Sequence, residues 1–532
     1  MTFTPTPEQL AIIDRIISRT SPTTIVSAGP GCAKTTTIIE AMNLLAPHTS
    51  SQWVPGRCSL VYTAFNKETV NSAANRLVEA NINTNGVYRV NCATLNSLGF
   101  AMWNRSREGT RTELRATKMR EILREIQDAG RYSISPEEWP DLTALVSFAK
   151  SQGYLPSTSG SAYRSLIDFK QLCIIADVLP QPHYQIILDI ALKLSIQKAF
   201  NNVFDFDDQL YMSALFSPVS RGPEFLFVDE AQDLSPIQLF LITRLRAEFT
   251  VFVGDPNQAI YGFRGAMTDS FARIRAKYPD ATNLPLLTSF RIPQAILPIL
   301  RQTNPGLATL SKTLGSARTW ETSTTITDFL TSLSGTKAII CRNNAPLYRV
   351  ALACISAKLP FRLSDTSFGE RLLKDVARAI PDPQNAPVSA TFLSLMSNFW
   401  VSRAGENDKA LSLAFDKLAA LENLIDITQP STIAALLLTI KSLLTKSSDK
   451  GLFLSTAHKA KGLEFDSVVH LDPQLIPNKW AVTSDQIAQE HNIAYVINSR
   501  PKNLLVFLDS ANLTIPGTPT RTVTNPAKKV KA

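Results

Sequence analysis

A glycine-rich turn between a β-branched strand and a helix constrains this chain most strongly. Residues 25–37 read IVSAGPGCAKTTT, so a strand, a turn with two glycines and a lysine followed by threonines come in succession. Backbone N–H groups of such a turn cradle polyphosphate, while Lys34 reaches the β/γ-phosphates and Thr35 holds Mg²⁺. Ala33 stands where the usual pattern has glycine, and its Cβ fits if its φ stays negative, as at a helix start. An ordinary strand-to-helix turn is the alternative interpretation of this segment.

Length and composition describe a large globular protein. The chain has 532 residues, 44% of them hydrophobic, which predicts about three or four domains. No apolar run reaches the length of a membrane span, and the N-terminus lacks the pattern of a signal peptide. The six cysteines form no C-x-x-C pair, which argues against zinc sites and disulfide frameworks. A net charge of +9 suits a polyanionic partner. Because neither a membrane span nor a signal peptide is predicted, we expect a cytoplasmic protein without membrane contact.

Two later segments again place polar side chains where a buried strand ends. Residues 225–228 form an apolar run, and Asp229 and Glu230 follow it directly. Ligands of parallel α/β sheets lie at the carboxyl ends of strands, so Asp229 is placed to hold Mg²⁺ and Glu230 to orient or deprotonate an attacking water. The strand beginning at Val251 ends in the same way, and Gln258 follows it. A phosphate loop and two such strand ends, in this order, indicate a nucleotide site.

Helical patterns account for much of the remaining chain. Thr6 is predicted to cap a helix that has Pro7 at its first position and Gln9 on its exposed end. Residues from about 99 to 204 carry helical patterns and no catalytic constellation, beginning with an amphipathic helix predicted over 113–127. These residues are interpreted as a helical insertion between strands of the first α/β domain.

Taken together, the motifs resemble the UvrD/Rep group of superfamily 1 helicases. The segments that carry the resemblance are residues 28–35, 65–67, 94–96, 229–233, 254–266, 288–291, 455–465 and 494–500. The resemblance implies an α/β fold with two RecA-like parallel-sheet motor domains and helical accessory insertions. The implied division is a first motor domain at 1–98 and 205–285, a helical insertion at 99–204, a second motor domain at 286–381 and 449–512, a reduced helical insertion at 382–448, and a flexible basic tail at 513–532.

The same resemblance implies roles for individual residues. The catalytic residues would be Glu230, Gln258, Arg291 and Arg500, with the two arginines placing positive charge at the γ-phosphate. The residues that bind ATP would be Gln9, Gly29, Gly31, Ala33, Lys34, Thr35, Thr36, Arg264, Phe290 and Glu464, and those that hold Mg²⁺ would be Thr35 and Asp229. The contacts to nucleic acid would come from Phe65, Asn66, Thr94, Asn96, Phe263 and His458.

The activity implied by the resemblance is ATP-dependent 3′→5′ movement of a monomer on single-stranded DNA, with duplex unwinding. The implied partners are single-stranded DNA, single-strand/duplex junctions and a replication or repair protein, in the cytoplasm or at the nucleoid. The chain departs from the family pattern at Ala33, at Asn96 in place of a histidine, and at 499–501, where Ser-Arg-Pro replaces Thr-Arg-Ala. Ala33 keeps a second hypothesis open, an ATP-binding switch that no longer turns over. A helicase–nuclease is disfavoured, because no acidic cluster follows Arg500.

Overall fold

The structure is a computed structural model of the chain. It describes residues 4–45, 60–64, 66–79, 90–107, 112–130, 132–135, 138–157, 161–176, 178, 180–218, 222–262, 269–380, 382–384, 386–404, 408–447 and 451–514. The chain divides into two compact units, residues 1–290 and residues 291–532. The finer division into motor segments and insertions stays a prediction.

A parallel sheet organises the first unit. The strands are β1 (Thr23–Ala28), β2 (Leu60–Ala64), β3 (Val90–Thr94), β4 (Glu113–Leu114), β5 (Val203–Phe204), β6 (Phe225–Val228), β7 (Phe249–Gly254), β8 (Thr282–Leu286) and β9 (Thr288–Ser289). The helices are α1 (Pro7–Ser18), α2 (Lys34–Leu45), α3 (Lys67–Glu79), α4 (Leu95–Arg105), α5 (Lys118–Asp128), α6 (Glu138–Gln152), α7 (Phe169–Ala176), α8 (Tyr184–Phe200), α9 (Asp208–Phe216), α10 (Pro236–Leu245) and α11 (Ser270–Lys277). Six strands form the sheet in the order β3-β2-β6-β7-β1-β8, and every pairing is parallel.

Strand β1 lies inside this sheet, between β7 and β8. Its residues Thr23 to Val26 are β-branched and buried, which suits a strand covered on both faces. Because the strands are parallel, the carboxyl ends of β1, β6 and β7 meet at one edge. That edge brings together the turn after Ala28, the residues after Val228 and the residues after Gly254.

The helices α5 to α8 form an insertion with a hydrophobic core of its own. This core contains Ile122, Leu123, Leu142, Leu145, Leu188 and Leu192. The short strands β4 and β5 pair with each other at the ends of the insertion. The helix predicted over 113–127 therefore begins later, at Lys118, because Glu113 and Leu114 are committed to the pairing with β5.

A second parallel sheet organises the second unit. Its strands are β10 (Ala308–Thr309), β11 (Ser316–Trp320), β12 (Thr324–Thr325), β13 (Lys337–Cys341), β14 (Phe361–Leu363), β15 (Leu452–Thr456), β16 (Phe465–Leu471), β17 (Pro501–Leu508) and β18 (Leu513–Thr514). Its helices are α12 (Leu297–Arg301), α13 (Ile326–Thr331), α14 (Ala345–Ser356), α15 (Ser367–Ala379), α16 (Ala390–Ala404), α17 (Asp408–Thr428), α18 (Ile433–Thr445), α19 (Ala457–Ala460) and α20 (Ser484–Asn498). The sheet order is β11-β17-β16-β13-β15-β14, again all parallel. The predicted α/β class with two parallel sheets is confirmed.

The helices α16 to α18 share one hydrophobic core with the sheet of the second unit. Met396, Leu421 and Leu436 belong to the same cluster as Ile339 and Val469 of the strands. A polar contact adds to this packing, because the Asp416 carboxylate accepts hydrogen bonds of 2.9 Å from the backbone N–H groups of Asn344 and Ala345 at the start of α14. This carboxylate satisfies N–H groups at the helix start that have no partner within the helix.

The first two residues of the predicted tail belong to a strand. Leu513 and Thr514 form β18, which pairs in parallel with β12, and residues 515–532 lie outside the described residues. Among the described helices, none combines the length and the apolar character needed to cross a membrane.

Candidate nucleotide site and nucleic-acid contacts

The predicted phosphate loop connects β1 to α2 and is fixed by the segment that follows β8. Gly29 N–H donates to the Leu286 carbonyl over 2.9 Å, and Phe290 N–H donates to the Gly31 carbonyl over 2.9 Å. The Ser289 hydroxyl donates to the Pro30 carbonyl over 2.8 Å. Three hydrogen bonds at Gly29, Pro30 and Gly31 thus hold the backbone of the turn before α2 begins.

The expectation that Ala33 keeps a negative φ is wrong. Ala33 has φ +58° and Gly31 has φ +70°, so both lie in the left-handed region. For a residue with a Cβ this conformation costs about 1–2 kcal/mol, which explains why a glycine suits the position. The turn therefore holds backbone strain directly before Lys34, at the point where a phosphate would bind.

Lys34 opens α2 among three carboxylates of the sheet edge. Burial disfavours the charged form of Lys34, but the carboxylates of Glu230, Asp255 and Asp229 outweigh it and raise the pKa of the lysine. The ammonium group is therefore charged at neutral pH. A positively charged ammonium group suits a polyphosphate ligand, and the surrounding carboxylates suit a divalent cation bound together with that ligand.

Asp229 follows β6 and is buried beside the start of α2. Its carboxylate accepts from the Tyr62 hydroxyl over 2.7 Å, from the Thr35 hydroxyl over 3.3 Å and from Glu230 N–H over 2.8 Å. Burial, then the Glu230 carboxylate, raise the pKa of Asp229. A hydroxyl and a carboxylate at this distance form an oxygen set that fits Mg²⁺, which keeps several waters and takes few protein ligands.

Glu230 is connected to Gln258 through two residues that the sequence did not single out. Gln232 donates from Nε2 to the Glu230 carboxylate, and its Oε1 accepts from Asp255 N–H over 3.0 Å. Asp255 in turn accepts from Gln258 Nε2 over 2.7 Å. Burial raises the pKa of Asp255 to about 6. A Cβ on Gly254 would lie 2.1 Å from the Gln232 amide oxygen, so only glycine leaves room for this connection.

Glu230 adopts the left-handed conformation, with φ +53°. Such a conformation in a glutamate costs free energy and persists only where its surroundings hold it, here the hydrogen bond from Gln232 and the 3₁₀ turn that follows. Tyr62 and Asp255 were missed because only the sheet brings them next to Asp229 and Glu230. Gln232 follows Glu230 closely in the chain, but its bond to Asp255 N–H could not be read from the sequence. The polarity of Tyr62 within a buried strand and of Asp255 directly after one was the available signal.

The expectation that Gln9 sits exposed on its helix is wrong. Gln9 is 0% exposed and forms a capping box with Thr6, whose N–H donates to the Gln9 amide oxygen over 2.9 Å. The Gln9 amide nitrogen donates to the Thr37 hydroxyl over 3.0 Å. The predicted capping of α1 by Thr6, with Pro7 at its first position, is confirmed. The predicted role of Gln9 in binding ATP stays a prediction.

Other predicted ATP-binding residues lie in different surroundings. Thr36, in the first turn of α2, accepts from Arg76 over 3.5 Å. Phe290, predicted to bind ATP, is 42% exposed, so its ring is accessible to a nucleotide. Arg264 lies outside the described residues.

The two predicted arginines lie in the second unit and are engaged within it. Arg291 donates to the Glu464 carboxylate and, over 2.9 Å, to the Ser499 carbonyl. Arg500 is 3% exposed and donates to the Val496 carbonyl over 2.9 Å and to the Ser499 hydroxyl over 2.8 Å. The structure thus brings Arg291, Glu464 and Arg500 together around Ser499.

Two of the predicted nucleic-acid residues cap helices. Asn66 Oδ1 accepts from Thr69 N–H over 2.7 Å at the start of α3, and Thr94 Oγ1 accepts from Ser97 N–H over 3.2 Å at the start of α4. His458 lies half-buried in α19. Phe65 and Phe263 lie outside the described residues.

Phe206 is an exposed aromatic residue, without an individually predicted role, whose backbone contacts Asn96. Phe206 is 61% exposed, and its backbone carbonyl accepts from Asn96 Nδ2 over 3.5 Å. Strand alternation would have placed Phe206 on the same face as the buried Phe204, but the chain turns after β5 and directs the second ring to solvent.

Two protein-family models match this chain. The UvrD/REP helicase N-terminal domain model matches residues 7–279, and the UvrD-like helicase C-terminal domain model matches residues 401–511. The chain belongs to the UvrD/Rep helicase family.

Individual relatives in the family match shorter segments. The chain is 26% identical over 350 residues to F-box DNA helicase protein 1 of Schizosaccharomyces pombe, covering 62% of this chain and 37% of that protein. It is 33% identical over 110 residues to ATP-dependent DNA helicase Rep of Buchnera aphidicola, covering 19% of this chain and 16% of that protein. It is 30% identical over 125 residues to ATP-dependent DNA helicase PcrA of Staphylococcus aureus, covering 22% of this chain and 17% of that protein. The chain therefore matches well under half the length of each of these relatives.

Proposed function

We propose that this chain is an ATP-driven helicase that moves 3′→5′ along single-stranded DNA and unwinds duplex. Lys34, Asp229, Glu230 and Gln258 support this proposal, because they converge at one sheet edge in a member of the UvrD/Rep helicase family. The observation that carries the proposal is the charged Lys34 beside the Thr35–Asp229 oxygen pair. That pair would hold Mg²⁺, which supplies positive charge on the phosphate oxygens when bound.

The chemistry we propose is attack of a water on the γ-phosphorus of ATP, with cleavage of the bond to the departing ADP oxygen. Glu230 would orient the water and accept its proton. Lys34 would neutralise the phosphate oxygens, and Gln258 would respond to the γ-phosphate. Arg291 and Arg500 would add positive charge as the transition state forms. An arginine in that role is worth about 10³–10⁵ in rate.

We further propose that single-stranded DNA and single-strand/duplex junctions are the substrate. Exposed aromatics suit this role, because base stacking is worth about 1–3 kcal/mol per base and tolerates any sequence. Phe206 joins the predicted contacts on the strength of its exposure and its place beside Asn96. We propose action as a monomer in the cytoplasm or at the nucleoid, with a replication or repair protein as partner.

Strand displacement on tailed duplexes tests the proposal. Duplexes with a 3′ single-stranded tail and duplexes with a 5′ tail are incubated with ATP, with Lys34→Ala protein as the control that cannot use ATP. We expect ATP-dependent displacement from the 3′ tail and little from the 5′ tail. Preferential displacement from the 5′ tail would contradict the direction while leaving the motor proposal intact.

The strain at Ala33 favours one alternative, an ATP-binding switch without turnover. The alternative predicts tight ATP binding, no hydrolysis with or without single strands, and a large gain of hydrolysis in Ala33→Gly. The proposed motor predicts hydrolysis by the wild-type chain and only a mild change in activity for Ala33→Gly.

A further inference from the structure

A cluster of buried charges lies where the first helical insertion meets the turn that bears Phe206. Lys150 of α6 donates to Asp205 over 2.5 Å and to Asp208 over 2.8 Å. Lys118 of α5 donates to Asp208 over 2.5 Å and to the Ser195 carbonyl of α8 over 2.8 Å. Two lysines from the insertion thus neutralise Asp205, which follows β5, and Asp208, the first residue of α9.

The cluster is withdrawn from water. Lys118 and Asp208 are 0% exposed, and Lys150 and Asp205 are also buried. Burial disfavours charge on Asp208, but Lys150 and Lys118 hold the pKa of its carboxyl below the ordinary value. Removing one member would leave an uncompensated buried charge, whereas apolar residues of similar volume often replace a whole buried ion cluster without loss of stability. Stability alone therefore gives no reason for four charges here.

The aspartates of the cluster set the path of the turn. Asp205 N–H donates to the Asp208 carboxylate over 2.9 Å, and Asp208 N–H donates to the Asp205 carboxylate over 2.9 Å. These reciprocal bonds close the turn around Phe206, whose ring points to solvent while Phe204 is buried. The carboxylates that shape the turn are the same ones that the lysines of α5 and α6 bind.

We propose that the Lys118–Lys150–Asp205–Asp208 cluster is a positioning device, through which the first helical insertion holds Phe206 in place for contact with a single strand. The inference rests on the proposed function, since it assumes that the chain binds single-stranded DNA. Lys118 and Lys150 are positioning residues, because they act on the strand only through the turn. The insertion is thereby a part of the nucleic-acid contact, although its own helices need not touch the strand.

A double-mutant cycle on the full chain tests the inference. The variants are Phe206→Ala, Lys150→Met and the combination, and the readouts are the Kd for a fluorescent oligothymidylate and the kcat for ATP at saturating strand. We expect Phe206→Ala to weaken strand binding by on the order of 5- to 150-fold, the range that corresponds to loss of one stacked base. Lys150→Met should weaken binding in the same direction with little change in kcat, and should have no further effect in the Phe206→Ala background.

Two further variants make the cycle decisive. Lys198→Met removes a lysine of α8 whose ion pair with Glu125 is partly exposed, and it should leave the Kd unchanged. Asp205→Asn replaces Lys150→Met if that variant does not fold, because an asparagine oxygen can still accept from Asp208 N–H while the charge that binds Lys150 is lost.

The outcomes separate the inference from the proposed function. An equal loss from Lys150→Met in both backgrounds, or wild-type affinity in Phe206→Ala, would overturn the inference while the helicase proposal stands. Absence of strand binding by the wild-type chain would overturn the proposed function itself.

Discussion

The two units carry their predicted catalytic residues in opposite ways. In the first unit, the phosphate loop and the carboxylates after β6 and β7 converge at one sheet edge, with left-handed conformations at Ala33 and Glu230. In the second unit, Arg291 and Arg500 already donate to groups of their own unit, including Ser499. The first set includes two backbone positions in the strained left-handed region, whereas the second set is held by hydrogen bonds to groups of its own unit.

This difference shows that the residues of a complete set of sequence motifs can differ in their backbone conformation and in the partners that hold them. The Asp229 carboxylate is held by the Thr35 hydroxyl and by Glu230 N–H. In the proposed mechanism, Arg291 and Arg500 would exchange hydrogen bonds with groups of their own unit for contacts with phosphate. Under our proposal, binding of ATP therefore depends mainly on the first unit, and its turnover depends on both.

The largest effect that would sharpen this contrast is expected from Glu230→Gln. The substitution removes the base that accepts the proton of the attacking water, so turnover should fall by about 10²–10⁴-fold while ATP affinity stays near normal. Nucleotide titration and steady-state hydrolysis measure the two quantities, with Glu248→Gln, an exposed glutamate of the same unit, as control. Hydrolysis at the wild-type rate in Glu230→Gln would show that Glu230 has no such role.

A smaller effect concerns the pH dependence of the stability of the second unit, through a buried histidine near Arg500. His470 Nδ1 lies 2.9 Å from Asn498 Oδ1, two residues before Arg500, and burial lowers the pKa of His470 to about 4. An unfolded histidine takes up its proton near pH 6.5, so the unfolded state binds the extra proton between about pH 6.5 and 4, and the free energy of unfolding falls as the pH drops through that window.

His470→Gln should remove this acid sensitivity. As the pH falls through that window, the free energy of unfolding of the variant minus that of the wild type should increase by about 3 kcal/mol. Most of this increase should be present by pH 4.5. Urea denaturation at pH 7.5 and 4.5 measures the change, and His491→Gln, an exposed histidine of the same unit, is the control. An identical pH dependence in His470→Gln and the wild type would argue against a buried neutral histidine at this position.

The smallest effect concerns the strain in the first unit. Ala33→Gly should raise the free energy of unfolding by about 0.5–1 kcal/mol, because glycine adopts φ +58° without the steric penalty but loses more backbone entropy on folding. Chemical denaturation measures the difference. A destabilised variant would mean that the left-handed conformation carries no strain for alanine.

The sequence predicted the sheet edge well, because it depends on a local pattern. Polar residues that follow buried parallel strands, such as Asp229 and Gln258, lie at the carboxyl edge of the sheet. Prediction failed where the outcome depends on distant partners. The burial of Gln9 depends on Thr37, and the connection from Glu230 to Gln258 needs Gln232 beside Gly254. The exposure of Phe206 could not be read from its alternation with Phe204, since the buried lysines that bind the turn come from helices far away in the sequence.

The central claim is that the chain is a strand-dependent ATP-driven motor, and the most direct test is steady-state ATP hydrolysis with and without single-stranded DNA. We predict a low rate without DNA, a strongly increased rate with it, and background hydrolysis under both conditions for Lys34→Ala. Lys277→Ala, an exposed lysine of the same unit, should behave as the wild type. A wild-type rate that is unaffected by any single strand, or that is no higher than the rate of Lys34→Ala, would contradict the account.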